Sequence, residues 1–205
     1  MAPAGLYDFT ANLYYLIGFR EYAYRNRAIK LLNLKAGDTV VEVGCGTGLN
    51  FSLLQDKVGP SGKIVGIDLT AEMLEVARQR CEKNGWRNVE LVEHDAATYL
   101  FPLHVDGVIS AFAITLVPKF DVVITHAAEV LKPGKRMVLL DLKLPHWPQP
   151  LVKLAIWLTS GFGVNEEIAK RHPWEDMTKV FQNLHMEDIF FGAVYIAMSE
   201  RNGIQ

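Results

Sequence analysis

The chain has 205 residues, half of them hydrophobic and 21% charged, with 21 Lys and Arg against 23 Asp and Glu for a formal net charge of −2. That length supports one domain with a sizeable core, and the composition excludes a disordered tail or a solvated coil. The charge balance argues against a nucleic-acid partner, which would need a basic excess.

From about Phe9 to Leu32, apolar residues recur at helical spacing (Leu13, Ile17, Tyr24, Ala28, Leu31), which predicts a first helix. Thr39-Val-Val-Glu-Val43 is a short β-branched strand. The glycine-rich turn 44–48 leads to a helix over Leu49 to Asp56, and Pro60-Ser-Gly62 introduces a second strand, Lys63 to Ile67. Thr70 stands where it can cap a helix over Ala71 to Lys83, which Asn84-Gly85 stops. Strands follow at Val89–Val92, Val105–Ser110 and Arg136–Leu142, with a helix over Val122–Leu131 between the last two. Strands alternating with helices of this length predict an α/β fold with a mostly parallel sheet. Ligands of such sheets lie beyond the carboxyl ends of the strands.

After Leu144 the pattern changes. Pro145, Pro148 and Pro150 interrupt the chain, and Leu151 to Leu158 is apolar apart from Lys153. Polar helical stretches are predicted around Asn165–Arg171 and Glu175–Asn183. Two closing strands, Met186–Phe191 and Ala193–Met198, should pair antiparallel across Gly192. Two cysteines, Cys45 and Cys81, make no disulfide framework and suit a reducing, cytoplasmic setting. No signal peptide is expected in the first ten residues, and no apolar run reaches the roughly 18–20 residues that span a bilayer.

Three glycines at alternate positions after a strand, Gly44, Gly46 and Gly48, let the backbone turn sharply and offer its N–H groups to a ligand. Asp68, at the end of the next strand, suits a vicinal ribose diol, since a carboxylate accepts two O–H bonds. A helix cap or turn residue is the other reading of Asp68.

With these residues in place the chain resembles a class I S-adenosylmethionine-dependent methyltransferase over roughly residues 36–142. The resemblance rests on Glu42-Val-Gly-Cys-Gly-Thr-Gly48, Ile67-Asp-Leu-Thr-Ala-Glu-Met-Leu74, Glu93-His-Asp-Ala96 and Leu131-Lys-Pro-Gly134, in that order. It implies a Rossmann-like, mostly parallel seven-stranded sheet with helices on both faces and an antiparallel last strand. It also implies S-adenosylmethionine as cofactor, released as S-adenosylhomocysteine, and no metal. A single domain would then comprise an N-terminal helical lid (1–35), the cofactor-binding part (36–142), a helical acceptor-side insertion (143–184) and closing strands (185–199).

Residue by residue, the resemblance implies that Gly44, Gly46 and Gly48 shape the loop around the methionyl part, with Cys45 inside it and Glu42 supporting its end. Asp68 would bind the ribose, with Leu69 and Met73 near the adenine. Asp95 and the backbone of Ala96 would meet the adenine edge, and Ser110 and Ala111 would border the methionine. Two departures from the pattern are the run after Asp95 (Ala-Ala-Thr-Tyr-Leu-Phe-Pro-Leu-His-Val105) and the turn Lys132-Pro-Gly-Lys135.

A sulfonium methyl is already activated, so alignment of the acceptor and exclusion of water matter most. An acceptor that must lose a proton needs a base, for which His146, Asp141 and the tyrosines are candidates. Five of the seven tyrosines fall in the first 24 residues (Tyr7, Tyr14, Tyr15, Tyr22, Tyr24). They read as an aromatic lid able to hold a methylated ammonium or as a packing stripe; Tyr14 and Tyr15 cannot share one helical face.

The chain is similar both to quinone-biosynthesis methyltransferases and to soluble bacterial phosphatidylethanolamine N-methyltransferases. The second likeness rests on Tyr7-Asp8, Asp141-Leu-Lys143, Arg171-His-Pro-Trp174 and Gly192-Ala-Val-Tyr195. It implies a lipid-like acceptor, faced by His146 and Tyr195, with the headgroup amine of phosphatidylethanolamine ahead of a quinone or other small apolar molecule. Leu151–Leu158 with Trp157, and the basic Arg20, Arg25, Arg27 and Lys30, fit peripheral contact with an anionic membrane; burial and a solvated helix face fit them as well. A binding or scaffold module without catalysis is the remaining class, against which the glycines, Asp68 and Asp95 speak.

Overall fold

A computed structural model describes residues 20–144 and 170–203. In chain order these form α1 (Glu21–Leu31), β1 (Thr39–Val43), α2 (Phe51–Val58), β2 (Lys63–Asp68), α3 (Ala71–Asn84), β3 (Val89–Glu93) and β4 (Val105–Ala111). After them come α4 (Phe120–Val130), β5 (Leu131–Leu142), α5 (Pro173–Val180), β6 (Gln182–Ile189) and β7 (Val194–Glu200). Tyr7, Tyr14, Tyr15, His146, Leu151–Leu158 and the stretch predicted helical around Asn165 lie outside the described residues, apart from Lys170 and Arg171.

The seven strands run in the order β3-β2-β1-β4-β5-β7-β6. β1 to β5 are parallel, and β7 pairs antiparallel with both β5 and β6. The order reverses between β1 and β4, so the loop after β1 opens at the switch point where sheets of this kind bind ligands. β4 is buried at every position and β1 at four of five, as expected of central parallel strands covered on both faces. Val40, Ile64, Ile109, Val138 and Ile196 pack with Ile29 of α1, Phe51 and Leu54 of α2 and Leu74 of α3. Val41, Val65, Val108, Leu139 and Ala197 pack with Ile124 of α4 and Met177 of α5. Gly66 of β2 lies under both Phe51 and Cys45, and a methyl there would sit 2.8 Å from the Phe51 ring and 2.9 Å from Cys45 Sγ.

Several boundaries differ from expectation, each for a local reason. α2 starts at Phe51 rather than Leu49, because the turn extends through Gly48 at φ +74° to Asn50. β5 starts at Leu131 rather than Arg136, since Leu131 pairs with Val105 before a register shift. α5 ends at Val180, three residues early, and β6 begins at Gln182, inside the segment assigned to the insertion. The closing hairpin turns through Phe190, Phe191 and Gly192, all at positive φ, so β6 stops at Ile189 and β7 starts at Val194. The Gly85 stop holds: Gly85 lies at φ +69°, and the N–H groups of Gly85 and Trp86 bond Glu82 and Cys81 carbonyls.

The departure at Lys132-Pro-Gly-Lys135 has a structural use at the amino ends of the strands. Lys132 and Lys135 both bond the buried Asp106, and Lys135 also reaches Asp38 at 3.1 Å. Burial alone would raise the Asp106 carboxyl. The Lys132 ammonium, the Thr39 N–H and Lys135 outweigh it and hold the group below the ordinary carboxylate range.

Candidate functional site

The loop after β1 is fixed from beneath by β2 and from the side by α3. Gly44 and Cys45 both donate to Ile67 O, at 2.8 and 3.0 Å. Gly46 N donates to Asp68 Oδ2 at 2.8 Å, and Arg80 Nε of α3 donates to Thr47 O at 2.9 Å. All three glycines hold positive φ, +67°, +53° and +74°, which suits residues without Cβ. Their outer faces differ. A methyl on Gly44 would lie 2.3 Å from Ala113 Cβ, and one on Gly48 would lie 2.5 Å from the Phe51 ring. At Gly46 no described residue stands within 4 Å. The loop therefore packs against protein at its ends and is open at its middle glycine, a cradle that a Cβ would begin to fill.

Asp68, partly buried, accepts from Gly46 N through Oδ2 and from Thr70 N, at 2.9 Å, through Oδ1. The expected side-chain cap by Thr70 is not formed, and Asp68 makes the turn into α3 instead. Both readings of Asp68 thus meet in one side chain: it shapes the turn and keeps further lone pairs on each oxygen. The ends of β2 and β3 are paired at Asp68 and Glu93, and His94 N donates to Asp68 O at 3.0 Å. This pairing brings the Asp95 loop beside Asp68. Asp95 Oδ1 accepts Ala97 N at 2.9 Å, while Ala96 is buried beneath. Leu69, two-thirds exposed, and Met73, partly buried, flank the same edge.

Ser110 and Ala111 are both buried. Ser110 Oγ donates to Val43 O at 2.9 Å, so this hydroxyl ties β4 to β1. Cys45 is packed under the loop. Burial, with Glu42 and Asp68 adding, pushes its thiol well up, which suits a packing residue and not a nucleophile. Glu42 is fully buried and its Oε1 accepts from Asn50 Nδ2 at 2.6 Å. Its Oε2 is buried with no hydrogen-bond partner among the described residues. Burial, only partly offset by Asn50 and Arg25, pushes Glu42 up to about 7.

On the other side of the switch point, the ends of β4, β5 and β7 gather a second group. Asp141 accepts from Thr115 N and Thr115 Oγ1, both at 3.0 Å, and from Leu142 N at 2.8 Å. Burial nevertheless raises Asp141 to about 6. Arg171 Nη1 donates to Thr115 O at 2.8 Å. Tyr195 is the cross-strand partner of Asp141 and meets Trp174 edge-on at 4.7 Å, and Trp174 stacks with His172 at 4.7 Å. The Tyr195 hydroxyl is buried with no hydrogen-bond partner among the described residues. Burial, then the Asp141 charge, raises it well above the ordinary tyrosine value. Thr115 thus links Arg171 to Asp141, whose cross-strand partner Tyr195 packs against Trp174.

Of the basic residues of the first helix, Arg25 is partly buried, while Arg20, Arg27 and Lys30 are exposed. Arg25 holds Glu21 and Asn50, and Arg27 pairs with Glu187 at 2.7 Å. Tyr22 is exposed, and Tyr24 packs on the core, as the packing reading has it. No helix among the described residues is long and apolar enough to cross a membrane. Asn50, Arg80 and Thr115 were not singled out from sequence. Asn50 follows the last glycine by two residues, a polar position at a helix start, which is the one signal that could have marked it.

Residues 34–184 match the family described as Methyltransferase domain. A demethylmenaquinone methyltransferase of Listeria welshimeri is 31% identical over 135 residues, 65% of this chain and 57% of the relative. The chain therefore spans little more than half the length of that relative. Among solved structures, a SAM-dependent methyltransferase from Aquifex aeolicus aligns with a TM-score of 0.60 at 22% identity, covering 85% of this chain and 88% of the other. A phosphoethanolamine N-methyltransferase from Haemonchus contortus, solved with phosphomonomethylethanolamine and S-adenosylhomocysteine, aligns at 0.68 and 16% identity, covering 87% and 53%. These two likenesses establish the shared fold.

Proposed function

From the premise that this chain belongs to the methyltransferase-domain family, we propose that it transfers the methyl group of S-adenosylmethionine to a small apolar acceptor of quinone type. The observation that carries the reading is the glycine loop, pinned at its ends, open at Gly46 and flanked by carboxylates at Glu42 and Asp68. S-adenosylmethionine bound there supplies a methyl activated by its sulfonium sulfur, so the protein's task is alignment and exclusion of water. Asp68 would hold the ribose diol, Asp95 and the Ala96 backbone the adenine edge, and Glu42 the methionine end. Leu69 and Met73 would give the adenine its apolar contact.

Asp141 and Tyr195 lie on the acceptor side, and Tyr195 offers a hydroxyl that no described residue satisfies. His146, Tyr14 and Tyr15 are assigned to the acceptor on sequence position alone. The demethylmenaquinone relative supports a quinone ring ahead of a lipid headgroup. The phosphatidylethanolamine amine is the second reading, favoured by the packing of Trp174 on Tyr195 beside Asp141, with Arg171 tied to the same Thr115 that bonds Asp141. The test is transfer of radiolabelled methyl by the purified chain to a demethylated quinone and, separately, to phosphatidylethanolamine, with the products separated. Label in the quinone alone supports the first reading, and label in the lipid alone overturns it.

A further inference from the structure

Arg25 of α1, Asn50 at the end of the glycine turn and Glu42 of β1 form a chain of side-chain hydrogen bonds beside the loop. Arg25 Nη1 of α1 donates to Asn50 Oδ1 at 3.2 Å, and Asn50 Nδ2 donates to Glu42 Oε1 at 2.6 Å. The same guanidinium donates to Glu21 Oε1 from Nε at 2.8 Å and from Nη2 at 2.6 Å. It also lies over the Phe112 ring, 5.1 Å from its centroid. An asparagine amide has a donating and an accepting end. A donor on Oδ1 therefore fixes which end faces Glu42, and without one the amide is free to turn its oxygen toward the carboxylate. Phe112 and Glu21 in turn fix the arginine.

We propose that Arg25 is a positioning residue for the cofactor site: acting through Asn50, it holds Glu42 as an ionised acceptor whose second oxygen, Oε2, receives the cationic amino group of the bound cofactor. The proposal rests on the functional reading above and extends it to a residue of the helix that precedes the cofactor-binding part. The charged and titratable groups around Glu42 are Arg25 from α1, Asp68 from β2 and Cys45 from the loop, with Asn50 as the direct donor. Arg25 favours the ionised form, and burial and Asp68 oppose it. A cationic ligand binds the ionised carboxylate better, so affinity rises with pH through the Glu42 transition at about 7. Removing Arg25 moves that rise to higher pH.

The experiment is calorimetry of S-adenosylhomocysteine binding to the full chain at several pH values between about 6 and about 8. Wild type binds about tenfold more tightly at the upper end, the ratio expected for a single group titrating midway. Arg25→Met loses about tenfold at neutral pH, and the loss shrinks as pH rises. Arg25→Lys, which keeps the charge, restores the wild-type midpoint. Arg25→Gln removes the charge and gives the same displacement should Arg25→Met not fold; Asn50→Ala raises the midpoint by removing the direct donor, and adding either Arg25 change to it shifts affinity by less than about twofold more. In Glu42→Gln the profile is flat, and adding Arg25→Met changes it less than about twofold. An unmoved midpoint in Arg25→Met or Arg25→Gln, or an equal loss from the Arg25 change on the Asn50→Ala or Glu42→Gln background, overturns the proposal and leaves the functional reading standing. Absence of binding by wild type at every pH overturns both.

Discussion

Replacing Gly46 and Gly44 by alanine separates the two faces of the glycine loop. At Gly46 the added methyl meets no described residue within 4 Å, so among these residues the fold bears only the left-handed backbone at φ +53°. That conformation costs an alanine about 1–2 kcal/mol, a fall of roughly 2–8 °C in Tm for a chain of this size. At Gly44 the same backbone cost applies, and the methyl lands 2.3 Å from Ala113 Cβ, far inside the contact distance of about 3.5–4.0 Å. Overpacking adds about 1–3 kcal/mol, for a total of roughly 2–5 kcal/mol. Thermal melting should thus rank Gly44→Ala well below Gly46→Ala. Calorimetry with S-adenosylhomocysteine should find the well-folded Gly46→Ala impaired by more than about tenfold, or about 1.4 kcal/mol. Wild-type affinity in Gly46→Ala would refute the assignment of that open face to the ligand.

Asp68→Asn puts an amide N–H₂ against the N–H of either Gly46 or Thr70 and weakens the ribose contact. Affinity for S-adenosylhomocysteine should fall about 10–100-fold, a cost of roughly 1–3 kcal/mol, as calorimetry will read. Asp106→Asn should destabilise the chain by about 2 kcal/mol at neutral pH, where a buried carboxylate loses two lysine partners. Because the folded state holds Asp106 below its ordinary value of 3.8, this contribution is complete above about pH 4 and disappears as pH falls through the folded value. Urea titrations of both proteins should therefore converge in acid, and a gap independent of pH would sink the argument. Tyr195→Phe removes a hydroxyl with no partner among the described residues, so stability should hold or rise by about 1 kcal/mol. Turnover should fall with S-adenosylhomocysteine affinity unchanged, and unchanged turnover would remove Tyr195 from the acceptor side.

The parallel core was legible because its strands are short apolar runs bounded by Gly and Pro, as in Thr39–Val43 and Lys63–Asp68. The glycine loop was legible because a turn held at positive φ favours residues without Cβ, and Asp68 because an acid at the end of β2 falls beside that loop by topology alone. Non-local pairing was not legible. Nothing in the order of residues says that Lys135 will bridge Asp38 and Asp106, or that Arg25 will meet Asn50. Boundaries failed where a left-handed residue ended an otherwise plausible run, as Phe190 does after β6. At the ends of β4 and β5, Asp141 was singled out from sequence but its partner Thr115 was not, because nothing in the residue order brings the turn after β4 onto β5.

The bonds that pin the glycine loop also bear on the entropy of binding. Gly44, Cys45 and Gly46 already spend their amides on Ile67 and Asp68, and Thr47 is held by Arg80. Ordering a free backbone costs about 1–2 kcal/mol per residue, and four residues here are spared that cost when a ligand arrives. The amides of Gly44, Cys45 and Gly46 should exchange slowly with deuterium in the ligand-free protein and slow little further on saturation. Amides of a loop that closes only around its ligand would pass from fast to slow.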